Sequence, residues 1–230
     1  MPDTTEYRQL PFTRPPGAAE LLLIRHGASA PYVDGKNFEL VDGHGDPPLD
    51  PSGEQQAEKL AERLGGEDLA AIYVTSLQRT VQTAAPLATR LGLEPVVEPD
   101  LREVHLGEWE GGSFRKHVSE RHPIAIRMMT EERWDVIPGA EPSDVFTKRI
   151  VDAVDRIAAR HLDGCVAVFT HGAVIAQLLS YATGARRFSF IGDNASISHL
   201  VIHEGRWIVR RYNDTSHLHP GFTIAPEPMT

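Results

Sequence analysis

Two apolar segments of strand length, each ending in histidine and glycine, constrain the fold of this chain more than any other feature. The first is "LLLIRHG", residues 21–27, and the second is "CVAVFTHG", residues 165–172. Short apolar runs of this kind are typical of strands buried on both faces of a parallel sheet. Because ligands of open α/β sheets bind outside the carboxyl ends of the strands, we expect His26 and His171 to face the same crevice.

Further strands alternate with helices along the chain. The stretch 50–66 places apolar residues at helical spacing and ends at a glycine pair, and residues 70–76 then form an apolar run. An antiparallel hairpin is predicted at residues 197–214, around Glu204 and Gly205. This alternation predicts an α/β fold with a mostly parallel central sheet flanked by helices on both faces.

Two local signals predict where helices break or begin. Pro86 lies inside the helical stretch 77–92 and is expected to kink or interrupt that helix. Ser143 precedes a long amphipathic stretch and is expected to be its N-cap.

Composition limits the classes of protein to which the chain can belong. The chain has 230 residues, of which 41% are hydrophobic and 24% charged, as in ordinary globular domains. A single cysteine, Cys165, cannot form an internal disulfide, and there is no apolar run of about 18 residues. The net charge of −9 argues against nucleic-acid binding. We therefore expect a cytoplasmic protein that binds neither nucleic acid nor membranes.

The sequence contains no clean linker, internal repeat or low-complexity tract that would divide it. The proline-containing N-terminus lacks the pattern of a secretory signal and is interpreted as an extended arm, residues 1–19. We expect a single domain over residues 20–215 and a C-terminal tail over residues 216–230. The arm and the tail are candidates for packing onto a second subunit in a homo-oligomer.

Several motifs together resemble the histidine phosphatase superfamily, also called the phosphoglycerate mutase-like family. The resemblance runs from about residue 21 to residue 200 and rests on "LLLIRHGAS", "DPPLDPSGEQQA", "YVTSLQRTVQTA", "LREVHLGEWEG", "PGAEPSDV", "VAVFTHGAVI" and "NASISHL". It implies a three-layer α/β/α sandwich of the phosphoglycerate mutase type. The match is specific because the turn "SLQR", residues 76–79, lies between the two strands that end in His-Gly.

The resemblance also implies roles for individual residues. His26 matches the nucleophile that becomes phosphohistidine, Glu103 the proton donor, and His171 the second histidine of the phosphate pocket. Phosphate-binding positions fall on Arg25, Arg79, Ser29 and Gly172. The family implies no metal and no cofactor, and the remaining histidines lack metal-ligand spacing.

These residue types suit phosphoryl transfer. The transferring group spreads negative charge over three oxygens, which planar guanidinium groups can bind bidentately. A histidine with a pKa of about 6.5 is largely neutral at pH 7 and has a free ring nitrogen that can attack phosphorus. Glu103 must carry a proton when substrate binds, which calls for a raised pKa.

The sequence departs from the common family pattern after the first motif. Ala28 and Ser29 stand where many members have glutamate and threonine, and the asparagine that usually follows is absent. Asn37 and His44 are candidates to replace it. The loop 31–49 is long, and long loops at strand ends often determine specificity, so we interpret it as a substrate lid.

Other interpretations stay open at several positions. A histidine at a strand end is often structural, Gly27 and Gly172 can be simple turn residues, and Glu108 and Glu110 compete with Glu103. The basic pairs Arg115 with Lys116 and Arg186 with Arg187 are either solvated charge or, for the first pair, substrate contacts.

The sequence thus predicts a metal-independent phosphatase that hydrolyses small phosphorylated metabolites through phosphohistidine on His26. A mutase that returns the phosphoryl group to a second acceptor is the main alternative. We find no proline-rich basic insertion between Gly112 and Gly139, where true phosphoglycerate mutases carry one. A phospho-ligand binding module without turnover is the other alternative.

Overall fold

A single mixed sheet forms the centre of the computed structural model, which describes residues 7–219 and 221. Within these residues the sheet has six strands, in the order β5-β4-β6-β1-β7-β8, and a separate hairpin pairs β2 with β3. The strands are β1 Ala19–Arg25, β2 Leu40–Val41, β3 His44–Gly45, β4 Ala71–Val74, β5 Val96–Val97, β6 Cys165–Thr170, β7 Ile197–His203 and β8 Arg206–Asp214. The neighbours β5, β4, β6 and β1 are parallel, and β7 and β8 add an antiparallel edge, so the predicted mixed sheet with mostly parallel strands is confirmed.

Helices cover both faces of this sheet. They are α1 Pro51–Leu64, α2 Gln78–Leu91, α3 Ser113–Ser119, α4 Pro123–Glu131, α5 Ser143–Arg160 and α6 Gly172–Thr183. Helices α5 and α6 pack on one face, around Phe146 and Leu178, and α1 and α2 pack on the other, around Leu60 and Leu87. The predicted three-layer arrangement is therefore present.

Alternation within the buried strands explains why each strand contacts both helical layers. In β1, Leu21 and Leu23 belong to the α5/α6 core, whereas Ile24 belongs to the α1/α2 core. Successive side chains of a strand point to opposite faces, and here both faces are apolar. The strand is thus held from both sides, which fixes the position of the two residues at its carboxyl end.

The predicted interruption of α2 and the predicted N-cap of α5 are wrong, whereas a kink at Pro86 stays a prediction. Helix α2 runs through Pro86 from Gln78 to Leu91, and is not interrupted there. Gln82, whose carbonyl loses its helical partner at a proline, is exposed, so water can satisfy it. The N-cap of α5 is Pro142, and Ser143 is instead the first helical residue, with its buried hydroxyl making no hydrogen bond to the described residues.

The terminal segments lie partly outside the described residues. Of the predicted arm, residues 7–15 have no helix or strand, and residues 1–6 lie outside the described range. Phe12 of this arm packs under the Arg210 guanidinium of β8, with 3.9 Å between the guanidinium carbon and the ring centroid. Of the predicted tail, residues 220 and 222–230 lie outside the described residues.

Candidate active site

The two predicted histidines lie side by side at the carboxyl ends of neighbouring strands. Strands β1 and β6 pair in parallel with Arg25 opposite Thr170, and the His26 amide donates to the Thr170 carbonyl at 3.0 Å. The next residues, His26 and His171, therefore leave the sheet together, with their ring centroids 5.3 Å apart. Both rings are buried, His171 completely. The chain thus places two imidazoles within reach of one small group.

The hydrogen bonds of His26 define which ring nitrogen carries the proton. Its Nδ1 lies 2.7 Å from the Gly27 carbonyl oxygen, which can only accept, so Nδ1 must donate. Asn194 donates from Nδ2 to the His26 carbonyl at 3.0 Å and holds the main chain. Burial, with Arg79 and Arg25 nearby, lowers the pKa of His26 well below 6.5. The ring is neutral at pH 7, and the lone pair lies on Nε2.

Arg79 faces that lone pair. It lies in the first turn of α2, is 7% exposed, and donates from Nε to His26 Nε2 at 3.3 Å. Its Nη1 donates to the Gly45 carbonyl at 3.0 Å, and the Asp46 carboxylate lies 3.8 Å away. Burial lowers the pKa of Arg79 to about 10, so the group is still a cation at neutral pH.

Arg25, the last residue of β1, supplies a second guanidinium. Its Nη1 donates to the Gly192 carbonyl at 2.6 Å, and its buried Nε has no hydrogen-bond partner among the described residues. Gly172 lies against this group, because a Cβ on Gly172 would be 3.3 Å from Arg25 Nε. The glycine therefore leaves room for the guanidinium itself.

His171 is held by a threonine from the neighbouring strand end. Its Nε2 lies 3.1 Å from Thr75 Oγ1, which also lies 3.0 Å from Thr80 Oγ1. Its Nδ1 is buried without a hydrogen-bond partner in the described part of the chain. Burial, Arg79 and His26 together lower the pKa of His171 well below 6.5. The ring is neutral and has one unused nitrogen.

Of the three candidate carboxyl groups, that of Glu103 is bound at the first turn of α6, two residues after His171, and interacts with the charges of Arg79 and Arg25. Glu103 Oε2 accepts from the Ala173 amide in the first turn of α6 at 3.3 Å, and Oε1 accepts from Val104 at 3.0 Å. Burial raises the pKa of Glu103 above 4.5, although these amides and the two arginines oppose that rise. Glu108 is exposed, and Glu110 accepts hydrogen bonds from the amides of Leu106 and Gly45.

Ser29 contacts Arg115, a residue for which the sequence left solvated charge and substrate contact open. Arg115, in α3, donates from Nη2 to Ser29 Oγ and from Nη1 to the Ala30 carbonyl, both at 2.7 Å. Ser29 therefore accepts from Arg115 and keeps its own hydroxyl proton for another acceptor. The position of α3 against this loop decides the contact, and no local pattern in the sequence indicates it.

The loop 31–49 is tied to the segment that follows Glu103. Lys116 pairs with Asp34 at 2.7 Å, and the Gly45 amide donates to Glu110 at 2.8 Å. His44 Nε2 lies 3.1 Å from the Glu103 carbonyl oxygen, and Asn37 Oδ1 accepts from the Tyr32 hydroxyl at 3.2 Å. Of the two candidates for the missing asparagine, His44 thus lies beside Glu103, whereas Asn37 is bound within the loop. The role of the loop as a lid stays a prediction.

Two guanidinium groups next to two neutral imidazoles, at the carboxyl edge of an α/β sheet, suit an enzyme that acts on phosphate monoesters. The model of the histidine phosphatase superfamily, branch 1, matches residues 21–215. The chain belongs to this family.

Relatives with known names agree with that assignment. Phosphoglycerate mutase-like protein 4 of Arabidopsis thaliana is 34% identical over 205 residues, which cover 87% of this chain and 87% of the relative. Metal-independent phosphoserine phosphatase of the same plant is 33% identical over 205 residues, covering 86% of this chain and 83% of the relative. The solved structure of a mycobacterial glucosyl-3-phosphoglycerate phosphatase superposes with a TM-score of 0.70 at 27% identity, covering 86% of this chain and all of that one.

The family and these relatives identify the chain as a phosphomonoester hydrolase. None of the helices in residues 7–219 is long and apolar enough to cross a membrane.

Proposed function

We propose that the protein hydrolyses small phosphomonoesters without a metal, through a phosphohistidine intermediate on His26. The observation that carries this proposal is the arrangement of His26, whose Nδ1 donates to Gly27 while Nε2 faces the Arg79 guanidinium at 3.3 Å. A neutral imidazole with its lone pair directed at a cation is prepared to attack an anionic phosphoryl group held by that cation.

In the first half-reaction His26 Nε2 attacks phosphorus. The N–P bond forms as the P–O bond to the leaving group breaks, and the electron pair passes to the leaving oxygen. Glu103 gives its proton to that oxygen, a role that its raised pKa supports. Arg25 and Arg79 neutralise the charge on the phosphoryl oxygens, and Ser29 donates its free hydroxyl proton.

In the second half-reaction water hydrolyses the phosphohistidine. The Glu103 carboxylate removes a proton from water, the water oxygen attacks phosphorus, and the P–N pair returns to His26. The unpartnered Nδ1 of buried His171 lies in the ring next to His26 and serves the phosphoryl group as a neutral partner. Inorganic phosphate then leaves, and the starting protonation states are restored.

The intermediate is tested by rapid-quench labelling with a phosphomonoester. An acid-labile, base-stable phosphoprotein is expected in the wild type and absent from His26→Ala. A labelled His26→Ala protein would contradict the assignment of the nucleophile. Absence of label and of turnover in the wild type would instead favour a binding module without catalysis.

Phosphatase and mutase activities are separated by a second assay. We expect phosphate release from p-nitrophenyl phosphate and no conversion of 3- to 2-phosphoglycerate, because the segment between Gly112 and Gly139 has no proline-rich basic insertion of the kind that true phosphoglycerate mutases carry. A screen of phosphorylated metabolites would then identify the substrate. The names of the relatives make phosphoserine and glucosyl-3-phosphoglycerate the first compounds to test.

A further inference from the structure

Arg149 of α5 uses every hydrogen-bond donor of its guanidinium, and in the described part of the chain none of these bonds goes to His26 or His171. Nε and Nη2 donate to the two carboxylate oxygens of Glu141 at 2.7 and 2.8 Å. The other donors reach main-chain carbonyl oxygens, with Nη1 bound to Asp100 at 2.7 Å and Arg102 at 2.8 Å, and Nη2 bound to Glu103 at 2.9 Å. All five N–H groups of an arginine are thus occupied.

These contacts hold the main chain on both sides of Glu103. Arg149 holds the carbonyls of the segment that leads to Glu103, and Glu141 accepts from the His105 amide, two residues beyond it, at 3.3 Å. The Glu141 amide in turn donates to the His105 carbonyl at 2.9 Å. The side chains of Arg149 and Glu141 are 20% and 12% exposed, so little water competes for these bonds. The main chain on both sides of Glu103 is therefore fixed to one ion pair.

We propose that Arg149 is a positioning residue for Glu103, which it holds so that the carboxyl group stays at the first turn of α6 beside His171. The inference rests on the proposed role of Glu103 as the proton donor. The charges that act on the carboxyl group of Glu103 are those of Arg79 and Arg25, so Arg149 acts on Glu103 through the position of the main chain. Within residues 7–219 the hydrogen bonds of the carboxyl group itself come from two amides, so its place depends on where the main chain lies.

Lysine cannot replace this arginine. An ammonium group at residue 149 can still pair with Glu141, but its three donors on a single nitrogen cannot span a carboxylate and three carbonyls. Arg149→Lys therefore preserves the positive charge and removes the planar guanidinium with its five donors. This makes it a milder and more informative variant than removal of the charge.

The test compares phenyl phosphate with p-nitrophenyl phosphate, two esters of similar shape. Phenol is a much weaker acid than p-nitrophenol, so phenolate needs the proton of Glu103 whereas p-nitrophenolate leaves without it. The ratio kcat/KM reports steps up to release of the alcohol, and so excludes hydrolysis of the phosphoenzyme. We expect Arg149→Lys to lower kcat/KM for phenyl phosphate about 10- to 100-fold and to leave that for p-nitrophenyl phosphate nearly unchanged.

Three further variants complete the experiment. Glu103→Gln should show the same selective loss, and adding Arg149→Lys to it should lower kcat/KM for phenyl phosphate no further, because both changes remove one function. Arg156→Lys is the matched control, since Arg156 lies on the same helix and its hydrogen bonds to described residues go to the side chains of Glu98 and Asp100. It should behave as the wild type with both esters.

The outcomes separate this inference from the proposed function. Equal losses for both esters in Arg149→Lys, or multiplicative losses in the double variant, would overturn the positioning role. No selective loss in Glu103→Gln would overturn the role of Glu103 and the inference that rests on it. If Arg149→Lys does not fold, Arg149→Met with Glu141→Leu, which removes both charges, is measured with the same two esters and judged by the same criteria.

Discussion

Replacing Gly27 with alanine should destabilise the protein through a single contact. Gly27 follows His26 and has no positive φ, so alanine is compatible with its backbone conformation. Its Cβ, however, would lie 2.7 Å from the Gly53 carbonyl oxygen in the first turn of α1, or 0.7 Å inside the 3.4 Å at which ordinary contact begins. All three of the nearest atoms belong to the Gly53 backbone, so turning a side chain cannot relieve the overlap and the main chain itself must shift.

The expected magnitude follows from this overlap. Overpacking of this kind costs about 1–3 kcal/mol. For a chain of this size that lowers Tm by about 2–12 °C. The Gly27 carbonyl also accepts from His26 Nδ1, so displacement of the loop moves the proposed nucleophile. Since a misplacement of about 1 Å can cost about 100-fold in rate, we expect kcat/KM to fall about 10- to 100-fold.

Gly66→Ala is the matched control. Gly66 follows the end of α1, and a Cβ there would meet nothing within 4 Å. Thermal unfolding and phosphate release from p-nitrophenyl phosphate are measured for both variants. If Gly27→Ala has the same Tm and kcat/KM as Gly66→Ala, the steric argument is refuted.

Three further predictions concern the core and the titrating groups. Phe146→Ala should lower the free energy of unfolding by about 3–5 kcal/mol, because the side chain is fully buried between α5 and the sheet. Urea unfolding measures the loss, and Val145→Ala is the control because the Val145 side chain is 52% exposed. A comparable loss in Val145→Ala would contradict the assignment of the loss to burial. Burial lowers the pKa values of His26 and His171 below 6.5, so below that pH the unfolded chain binds more protons and the free energy of unfolding should fall. His26→Asn should flatten the slope of unfolding free energy against pH by up to about 1.4 kcal/mol per pH unit. An unchanged slope would show that His26 is not a source of this pH dependence. Burial raises the pKa of Glu103, so kcat/KM for phenyl phosphate should decline as pH rises through that pKa and the carboxyl group loses the proton it donates. Glu103→Gln should lack this decline. The same decline in both proteins would exclude Glu103 as its source.

Residues with local signals were predicted well. The apolar runs of β1 and β6 specify strands buried on both faces, and a histidine directly after each run is carried to the end of its strand. Since carboxyl ends of parallel strands share one edge of a sheet, the meeting of His26 and His171 followed from the pattern and the fold class. The position of Arg79 in the first turn of α2 followed from the same reasoning.

Contacts between distant segments were beyond the reach of those patterns. The choice among Glu103, Glu108 and Glu110 depends on which carboxyl group meets the first turn of α6, about 70 residues further along the chain. Helix α2 continues through Pro86, and Gln82, whose carbonyl lies opposite the missing N–H, is an exposed residue. Exposure of a residue is set by packing and cannot be read from the proline alone.

The sequence by itself determined the order of strands and helices, the two histidines at one edge of the sheet and the type of chemistry they can perform, because hydrophobic periodicity and strand-end residues are local properties of the chain. Only the tertiary structure decided which groups are desolvated and which partners they meet: the neutral state of His26, the contact of Arg115 with Ser29, and the fixing of Glu103 by Arg149. Hydrogen bonding and burial depend on segments far apart in sequence, and these exist only once the layers have packed.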